Sequence, residues 1–324
     1  MSALTFAALR QLADGRFHSG ETVAKSLGRS RATLSEALKC VPDLGVEIFS
    51  VPGRGYRLAQ PLEFIDAAAL QSRLALARSR IRVEVVDEID STNSQLMARA
   101  MAGAAAGTCL AAEWQSAGRG RRGRSWISSL GGSLTFSLLW RFERGAGHLG
   151  GLSLAVGVAV ARALEACGAA RVQVKWPNDV VVDFRKLAGI LVEMSGDLQG
   201  PSVAVIGIGV NYRLAEQVLD RIDQAAVDVA ACATPVPGRT ELLGALLQSL
   251  ESTLAEFDRS GFTSFREPWR TLHAYHGRPV RVMPAGEAAF DAEVLDVAPD
   301  GALVVGAQGR TVVLSSAEIS LRPR

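Results

Sequence analysis

The sequence predicts a multi-domain α/β (α+β) protein with a winged helix-turn-helix, a central mixed α/β domain and a small C-terminal β-barrel. Three observations predict this fold class. Short helical repeats and a hairpin fill the first sixty residues, strands alternate with longer helices from Val83 onward, and short strands with turn residues fill the last fifty. A chain of 324 residues is long enough for two or three domains, and we place their boundaries at 1–60, 61–273 and 274–324.

The first sixty residues have the pattern of a DNA-binding winged helix. Apolar residues at helical spacing predict three short helices, and Gly28 lies in the tight turn before the third, which runs from 30 to 41. Two short strands then flank a basic turn at 52–55. The segment holds eight Lys or Arg against five Asp or Glu, and a three-helix adaptor domain is the alternative. The predicted DNA-binding residues are Arg29, Ser30, Arg31, Thr33 and Arg54.

The rest of the chain changes from a strand–helix pattern to a pattern of short strands. The predicted central strands are 82–89, 108–114, 133–140, 172–175, 187–194 and 203–210, with long helices over 152–167 and 240–257. Short strands at 279–283, 289–297, 302–305 and 311–314 follow, separated by turn residues. These patterns predict a domain of catalytic size followed by a small barrel.

Composition and charge exclude several classes of protein. Lys plus Arg minus Asp plus Glu is 35 − 33 = +2, so no global field attracts nucleic acid or a membrane. The four cysteines form no CxxC pair, which argues against structural zinc and a disulfide framework. The N-terminus lacks the charged start of a signal peptide, and the longest uncharged apolar run is too short to span a membrane. We therefore expect a cytoplasmic protein with no membrane partner.

The most unusual string is GRGRRGR at 118–124, followed by Ser125 and Trp126. Glycines allow the backbone to approach an anion closely, and arginine forks bind phosphate or carboxylate. This pattern predicts a flexible anion-binding loop inside the α/β domain. A solvated basic loop or an RNA-binding segment is the alternative.

A second cluster of polar residues follows the predicted strand 172–175. The turn after it carries Asn178 and Asp179, whose oxygens suit Mg²⁺ or a ribose, although such residues usually only make turns. Lys186 precedes an apolar strand in which Gly189 leaves room for a ligand against the backbone. A lysine in this position suits the polarisation of a carboxylate or phosphate, whereas a lysine met alone is more often a surface residue.

Two further short sequence strings place polar residues at the ends of predicted strands. Ser91, Thr92 and Asn93 follow the strand 82–89 and suit either a helix N-cap or a clamp on a polar ligand. The string GIGVN ends the strand 203–210 at Asn211, without the third glycine of a dinucleotide fingerprint. No Ser/His/Asp or Cys/His set emerges, so nucleophilic catalysis is unsupported. Positive charge, an oxygen-rich turn and a glycine-rich loop instead favour phosphoryl or nucleotidyl transfer.

These strings together resemble the biotin protein ligases, of the bifunctional type that also represses the biotin operon. The resemblance rests on LGRSRA, FSVPGRGYRL, IDSTN, EWQSAGRGRRGRSW, KWPND, RKLAGILVE, GIGVN and EISLR, and it covers essentially the whole chain. It implies an SH3-like C-terminal barrel and an enzyme that makes biotinyl-5′-AMP from biotin and Mg²⁺·ATP. It also implies transfer of biotin to one lysine of a biotin carboxyl carrier protein.

The resemblance implies a role for each residue of the site. Lys186 and Arg121 would be catalytic, and Asp179 with Asn211 would hold Mg²⁺. Biotin would be bound by Ser91, Thr92, Asn93, Gln115, Arg119, Gly120, Arg121, Lys186 and Gly189. ATP and the adenylate would be bound by Arg119, Arg121, Arg122, Trp126, Lys175, Asn178 and Asn211.

The resemblance also implies regulation of transcription. Biotinyl-5′-AMP would act as corepressor for a homodimer bound to operator DNA. Two alternatives remain: a ligand-sensing transcriptional regulator without ligase activity, and a lipoate-type ligase or transferase. The first would need neither Lys186 nor the arginine loop, and the second would not be expected to carry that loop or a winged helix. After Tyr212 no aromatic occurs before Phe257, so contacts to adenine would be aliphatic, from residues such as Ile222 and Val227.

Overall fold

The computed structural model describes residues 2–196, 200–284 and 288–315, and the backbone of 319–323. Its N-terminal part consists of α1 (Ala3–Leu12), α2 (Gly20–Ser26), α3 (Arg31–Leu38), a 3₁₀ turn (Val41–Leu44), and the hairpin strands β1 (Ile48–Val51) and β2 (Gly55–Leu58). The next elements are α4 (Ala67–Leu76), β3 (Arg82–Ile89), α5 (Thr92–Met101), β4 (Thr108–Gln115), β5 (Ser133–Phe142), α6 (Leu152–Ala166), β6 (Val172–Lys175), β7 (Asp179–Val182), β8 (Arg185–Gly196) and β9 (Ser202–Asn211).

The last third of the chain adds helices and a second large sheet. Its elements are α7 (Glu216–Leu219), α8 (Val229–Cys232), α9 (Arg239–Ser260), α10 (Thr263–Leu272), β10 (Pro279–Pro284), β11 (Phe290–Val297), β12 (Leu303–Ala307), β13 (Arg310–Leu314) and β14 (Ile319–Pro323). Strands β10–β14 form an antiparallel sheet in the order β13-β12-β11-β10-β14. The described elements confirm the predicted fold class of helix-turn-helix, mixed α/β domain and an all-β C-terminal part, which was predicted as a small barrel and is described as a five-stranded antiparallel sheet.

The N-terminal helices and hairpin share a hydrophobic core that continues into the central domain. Phe6, Leu9 and Leu34 are buried in it, together with Leu130, and Trp114 packs against it. Helix α3 is shorter than expected, because it ends at Leu38 and a separate 3₁₀ turn follows. The carbonyl of the last residue of that turn accepts a hydrogen bond from the Leu130 N–H at 2.9 Å. The winged helix is therefore packed directly on the segment that follows the arginine loop.

The central sheet has seven described strands in the order β3-β4-β5-β9-β8-β7-β6. Only β3 and β4 are parallel, because α5 provides the crossover between them; the other neighbours are antiparallel. Strand β7 was not predicted, because residues 176–179 were interpreted as a turn alone. Its short run of valines pairs with β6 on one side and β8 on the other.

The two faces of the central sheet have different coverings. Strand alternation places Ile206, Ile208 and Val210 in the main core, which α6 and α9 cover. Gly207 and Gly209 lie between them and point to the opposite face. Helix α5 covers only part of that opposite face, through Leu96 and Ala100. The remainder of the face is open and forms the floor of a cavity.

A fully buried ion pair joins β4 to α9. Arg239 donates to Glu113 Oε2 at 2.6 Å, and neither side chain is exposed to solvent. Glu113 Oε1 accepts from the Ile65 N–H at 2.7 Å, and Arg239 donates to the carbonyls of Glu63 and Ser133. The pair therefore connects the linker, the sheet and the start of α9.

No helix in the described residues is both long and apolar enough to cross a bilayer.

Removal of one member of this pair is expected to destabilise the central domain strongly. Glu113→Leu would leave the Arg239 charge buried without its partner, which costs about 3–5 kcal/mol of unfolding free energy. The double variant Glu113→Leu/Arg239→Met should lose less than the sum of the two single losses. Denaturant titration measures both, with Glu84→Gln, in an exposed pair with Arg99, as the control that should change little. A Glu113→Leu protein as stable as the parent would contradict this account.

Candidate functional site

A cavity of about 410 Å³ opens on the uncovered face of the central sheet. Every residue that the sequence predicted to bind biotin, ATP or a metal lies in its wall, on elements far apart in the chain. They are Ser91, Thr92, Asn93, Gln115, Arg119, Gly120, Arg121, Arg122, Trp126, Lys175, Asn178, Asp179, Lys186, Gly189 and Asn211.

Glycines form the floor of the cavity. A Cβ at Gly207 would lie 2.3 Å from Asn93 Oδ1, and one at Gly209 would lie 2.4 Å from the Trp126 indole. Gly189 pairs with Gly209 across the strands and also contacts the indole. A side chain at these positions would displace the groups above them. The string GIGVN therefore supplies a flat floor, which was not predicted from the sequence.

Neutral hydrogen-bonding groups cluster at the Gly207 end of the floor. Gln115 Oε1 accepts from the Thr92 N–H at 2.7 Å and from the Thr92 hydroxyl at 3.2 Å. Ser137 Oγ lies 2.8 Å from Thr92 Oγ1 and 2.7 Å from Asn93 Oδ1. Ser91 is the N-cap of α5 and its side chain accepts from the Ser94 N–H, so the helix-cap role suggested for this string is taken by Ser91. The buried side chains thus hold one another in fixed orientations, and Ser137 was missed because it lies inside an apolar strand.

Charged groups cluster at the other end, near Asn211. Lys186 Nζ lies 2.8 Å from Asp179 Oδ1, and both side chains are largely buried. The register between β7 and β8 shifts by one residue there, so that Lys186 is opposite Val181. Two residues paired across neighbouring strands point to the same face of the sheet, as do residues two apart in one strand, so Lys186, Val181 and Asp179 all point to the cavity face. Without the shift, Lys186 would point to the other side of the sheet, away from the cavity.

The turn between β6 and β7 is held by a buried tryptophan. Trp176 donates from its indole to the Gly301 carbonyl at 3.0 Å, and Ser153 donates to the Pro177 carbonyl at 2.8 Å. His273 stacks on Trp269 beside this turn, and burial lowers its pKa to about 3, so its ring is neutral. The turn is therefore anchored on the core, with Asp179 at the start of a strand rather than in an exposed turn as predicted.

The arginine loop, which the sequence predicts to bind anions, is closed into a hairpin in the structure. The Gly118 carbonyl accepts from the Trp126 N–H at 2.8 Å, and the Gly120 N–H donates to the Arg124 carbonyl at 2.7 Å. The hairpin crosses the cavity, where Arg121 donates to Asn178 Oδ1 at 3.2 Å. Burial lowers the pKa of the Arg121 guanidinium, and the charge of Asp179 opposes this change.

Arg119 contacts the protein itself more than the cavity. Its guanidinium donates to both carboxylate oxygens of Glu193, at 2.8 and 3.0 Å, and to Ser94 Oγ. Glu193 also accepts from Asn93 Nδ2 at 2.8 Å. Glu193 was not predicted as a site residue, because it is one acid at the end of an apolar strand. It fixes the arginine loop on β8 and orients Asn93.

The residues predicted to hold Mg²⁺ supply one carboxylate and one amide. Among the described residues no group of three or more His, Cys, Asp or Glu could hold a metal ion. Asn211 Nδ2 donates to the carbonyls of Lys186 and Val227, which leaves its Oδ1 for a ligand. One carboxylate with substrate phosphates is a usual way to bind Mg²⁺, so the residues fit an ion that arrives with a nucleotide.

A segment after β9 closes one side of the cavity. Arg221, Ile222, Asp223 and Gln224 line it, and Ile222 was the aliphatic contact suggested for adenine. Val227, the other suggested contact, is buried in the main core instead. This segment has no sequence motif, so only the folded chain reveals its position.

The predicted DNA-binding residues form a separate, exposed surface. Arg29, Ser30, Arg31 and Thr33 lie around the start of α3, and Arg54 lies at the tip of the hairpin. Ser30 Oγ accepts from the Thr33 N–H at 3.1 Å, so it caps the helix. The Arg54 guanidinium lies 4.1 Å from the centroid of the Phe17 ring.

Comparison with known proteins places this chain among ligases that carry a helix-turn-helix. The sequence model of the Biotin/lipoate A/B protein ligase family matches residues 85–211, and an HTH domain model matches residues 5–57. The bifunctional ligase/repressor BirA of Salmonella typhimurium is 37% identical, over 96% of this chain and 95% of that protein. The protein of the same description from Escherichia coli is 36% identical, over 96% and 95%.

The fold agrees with these sequence matches. The biotin protein ligase from Aquifex aeolicus, solved in complex with biotin and ATP, superposes with a TM-score of 0.63 at 28% identity. The superposition covers 75% of this chain and 99% of that one. With relatives above a third identity over nearly their whole length, this chain belongs to the biotin protein ligases, in the bifunctional ligase/repressor group.

Proposed function

We propose that this chain joins biotin to ATP, forming biotinyl-5′-AMP and pyrophosphate, and then transfers the biotinyl group to a lysine of a biotin carboxyl carrier protein. The single observation that carries the proposal is the cavity, which has buried neutral hydrogen-bonding groups at the Gly207 end and Lys186, paired with Asp179, at the other end. Gly207 and Asn211 are four residue steps apart along an extended strand, a span of about 14 Å. That arrangement matches a ligand with a polar ring at one end and a carboxylate at the other.

Biotin binding is assigned to the two ends of the floor. Thr92, Asn93 and Gln115 would hold the ureido group, since their donors and acceptors are fixed by the network around Ser137. The fused rings and the aliphatic tail would lie on the glycine floor beside Trp126. Arg119 would support this end indirectly through Glu193, and Ser91 through its cap on α5.

Lys186 would act at the carboxylate end during both steps. In the first step a biotin carboxylate oxygen attacks the α-phosphorus of ATP, and pyrophosphate leaves. In the second step the acceptor lysine amine attacks the anhydride carbonyl, and AMP leaves. Negative charge on the α-phosphate oxygens is stabilised by a cation already fixed in place, and Asp179 keeps Lys186 oriented.

The arginine hairpin would keep the intermediate in the cavity. A mixed anhydride is hydrolysed by water and acylates stray amines unless the site is closed. Arg121 holds the hairpin across the cavity to Asn178, and Arg122 lies in the cavity wall beside it. Gly120 lets the backbone approach the ligand closely.

The nucleotide would lie between the hairpin, Lys175 and the segment 221–224. Mg²⁺ would be held by Asp179 and the Asn211 oxygen together with the nucleotide phosphates, whose charge it would neutralise.

The N-terminal domain would repress transcription of biotin-synthesis genes. Helix α3 would enter the major groove of operator DNA, with Arg54 on the backbone or minor groove. A single small domain carries few cations, so we propose a homodimer on two half-sites, with biotinyl-5′-AMP as corepressor.

The four free cysteines fit a protein of the reducing cytoplasm.

Lys186→Ala is expected to slow adenylate formation by about 100-fold, because one preorganised electrostatic contact is lost at the charge that develops. Rapid-quench measurement of biotinyl-5′-AMP checks this rate. Lys39→Ala, at an exposed lysine, is the matched control, and the thermal midpoint verifies folding. A rate within about threefold of the parent would remove Lys186 from its assigned role.

Arg121→Gly is expected to speed the release of biotinyl-5′-AMP by about tenfold or more, because a charged hydrogen bond across the cavity is lost. Released adenylate should then biotinylate bystander lysines. Dissociation of radiolabelled adenylate measures the rate, with Arg310→Gly, at an exposed arginine outside the cavity, as the control that should leave release unchanged. Release at the parental rate would show that the hairpin is not a lid.

Replacement of Arg29, Arg31 and Arg54 by alanine is expected to weaken operator binding and leave adenylate formation intact. Each lost phosphate contact should make the salt dependence shallower by about 0.9 in the log–log slope. Gel-shift titration with promoter DNA over a range of salt concentrations measures this, with Arg310→Ala as a control. Unchanged operator affinity in the triple variant would refute the assignment of this surface.

A further inference from the structure

Phe184 occupies a backbone conformation that phenylalanine rarely adopts. Val182 pairs with Arg185, so the loop between β7 and β8 consists of Asp183 and Phe184, with φ values of 49° and 61°. Two positive φ values are the mark of a type I′ turn, whose second position strongly favours glycine. A bulky residue there is strained, and such strain is concentrated at sites where it serves a function.

The Phe184 ring lies at the surface and connects to the cavity wall through Tyr275 and Lys175. It is 39% exposed and packs edge-on against Tyr275, with 5.3 Å between the ring centroids. The Arg278 guanidinium lies 5.2 Å from the Phe184 ring. On its other side, Tyr275 contacts Lys175, whose Nζ is 5.8 Å from the ring and which lines the cavity. The exposed Phe184 ring is therefore separated from Lys175 in the cavity wall by one buried side chain, that of Tyr275.

The surroundings of this ring are cationic. Arg185 and Arg278 are both exposed, and neither forms an ion pair with another of the described residues. Asp183, the acid next to the ring, is already paired with Arg171 at 2.9 Å. Aromatic and arginine side chains are the residues that most often dominate protein–protein binding energy. A partner with carboxylates around an apolar contact would complement this patch.

We propose that Phe184, Arg185 and Arg278 form the docking surface for the carrier domain, which would present an acidic, partly apolar face beside its acceptor lysine. The proposal rests on the proposed ligase function, since that reaction brings the acceptor lysine to the cavity. The surface lies at the tip of the β7–β8 hairpin, where Lys186 is one residue from Arg185, and Asp179 lies at the base of the same hairpin. The carrier is thus recognised outside the cavity, and biotin and ATP inside it.

The test separates docking from chemistry. In Phe184→Asn the turn is kept, because asparagine adopts the left-handed conformation readily, so the thermal midpoint should be unchanged or higher. We expect the KM for the purified carrier domain to rise about tenfold, as for loss of an interface anchor. Adenylate formation without carrier, and biotinyl transfer from the adenylate to hydroxylamine with release of AMP, should stay at the parental rates.

Arg278→Glu should raise the same KM and reduce its dependence on salt, and Leu76→Asn, at a leucine 87% exposed on α4, should leave the KM unchanged. A parental KM in Phe184→Asn overturns the docking proposal. An equal fall in adenylate formation also overturns it, because the hairpin would then act through Lys186. A parent chain that makes no adenylate overturns the proposed function itself.

Discussion

The buried pair of Glu113 and Arg239 is the contact on which the arrangement of the domains depends. Two charges removed from water cost several kcal/mol each, and hydrogen bonds to the charged groups offset part of that cost, although the buried Arg239 Nε has no partner. Here those bonds go to the linker 62–65 and to Ser133. The same linker packs against the winged-helix core. One buried pair therefore connects the sheet, the longest helix and the segment that joins the DNA-binding and ligase domains.

The sheet serves two purposes because its faces differ in side-chain size. On one face Ile206, Ile208 and Val210 pack under helices and supply the hydrophobic burial. On the other, glycines leave about 410 Å³ open for a ligand. Asn93 and the Trp126 indole lie directly over these glycines, and the polar groups around them are held by hydrogen bonds and ion pairs. Glu193 does this at one end and Asp179 at the other.

Separate elements thus perform binding, retention and regulation within one chain. Strands supply the fixed groups, the arginine hairpin crosses the cavity, and the winged helix packs on the segment directly after that hairpin. Leu130 belongs both to the N-terminal core and to this segment, so the winged helix and the chain after the hairpin share one packed contact.

The sequence by itself determined the fold class and the motif residues around the cavity, because helical spacing, alternation and strings such as KWPND are local signals. It did not reveal β7, the closed form of the arginine hairpin, or the roles of Ser137 and Glu193. Those depend on which strands become neighbours. The clearest case is Lys186, whose direction is set by a one-residue register shift against β7. A shift of this kind arises from pairing between strands, so only the tertiary structure decided that Lys186 and Asp179 meet in the cavity.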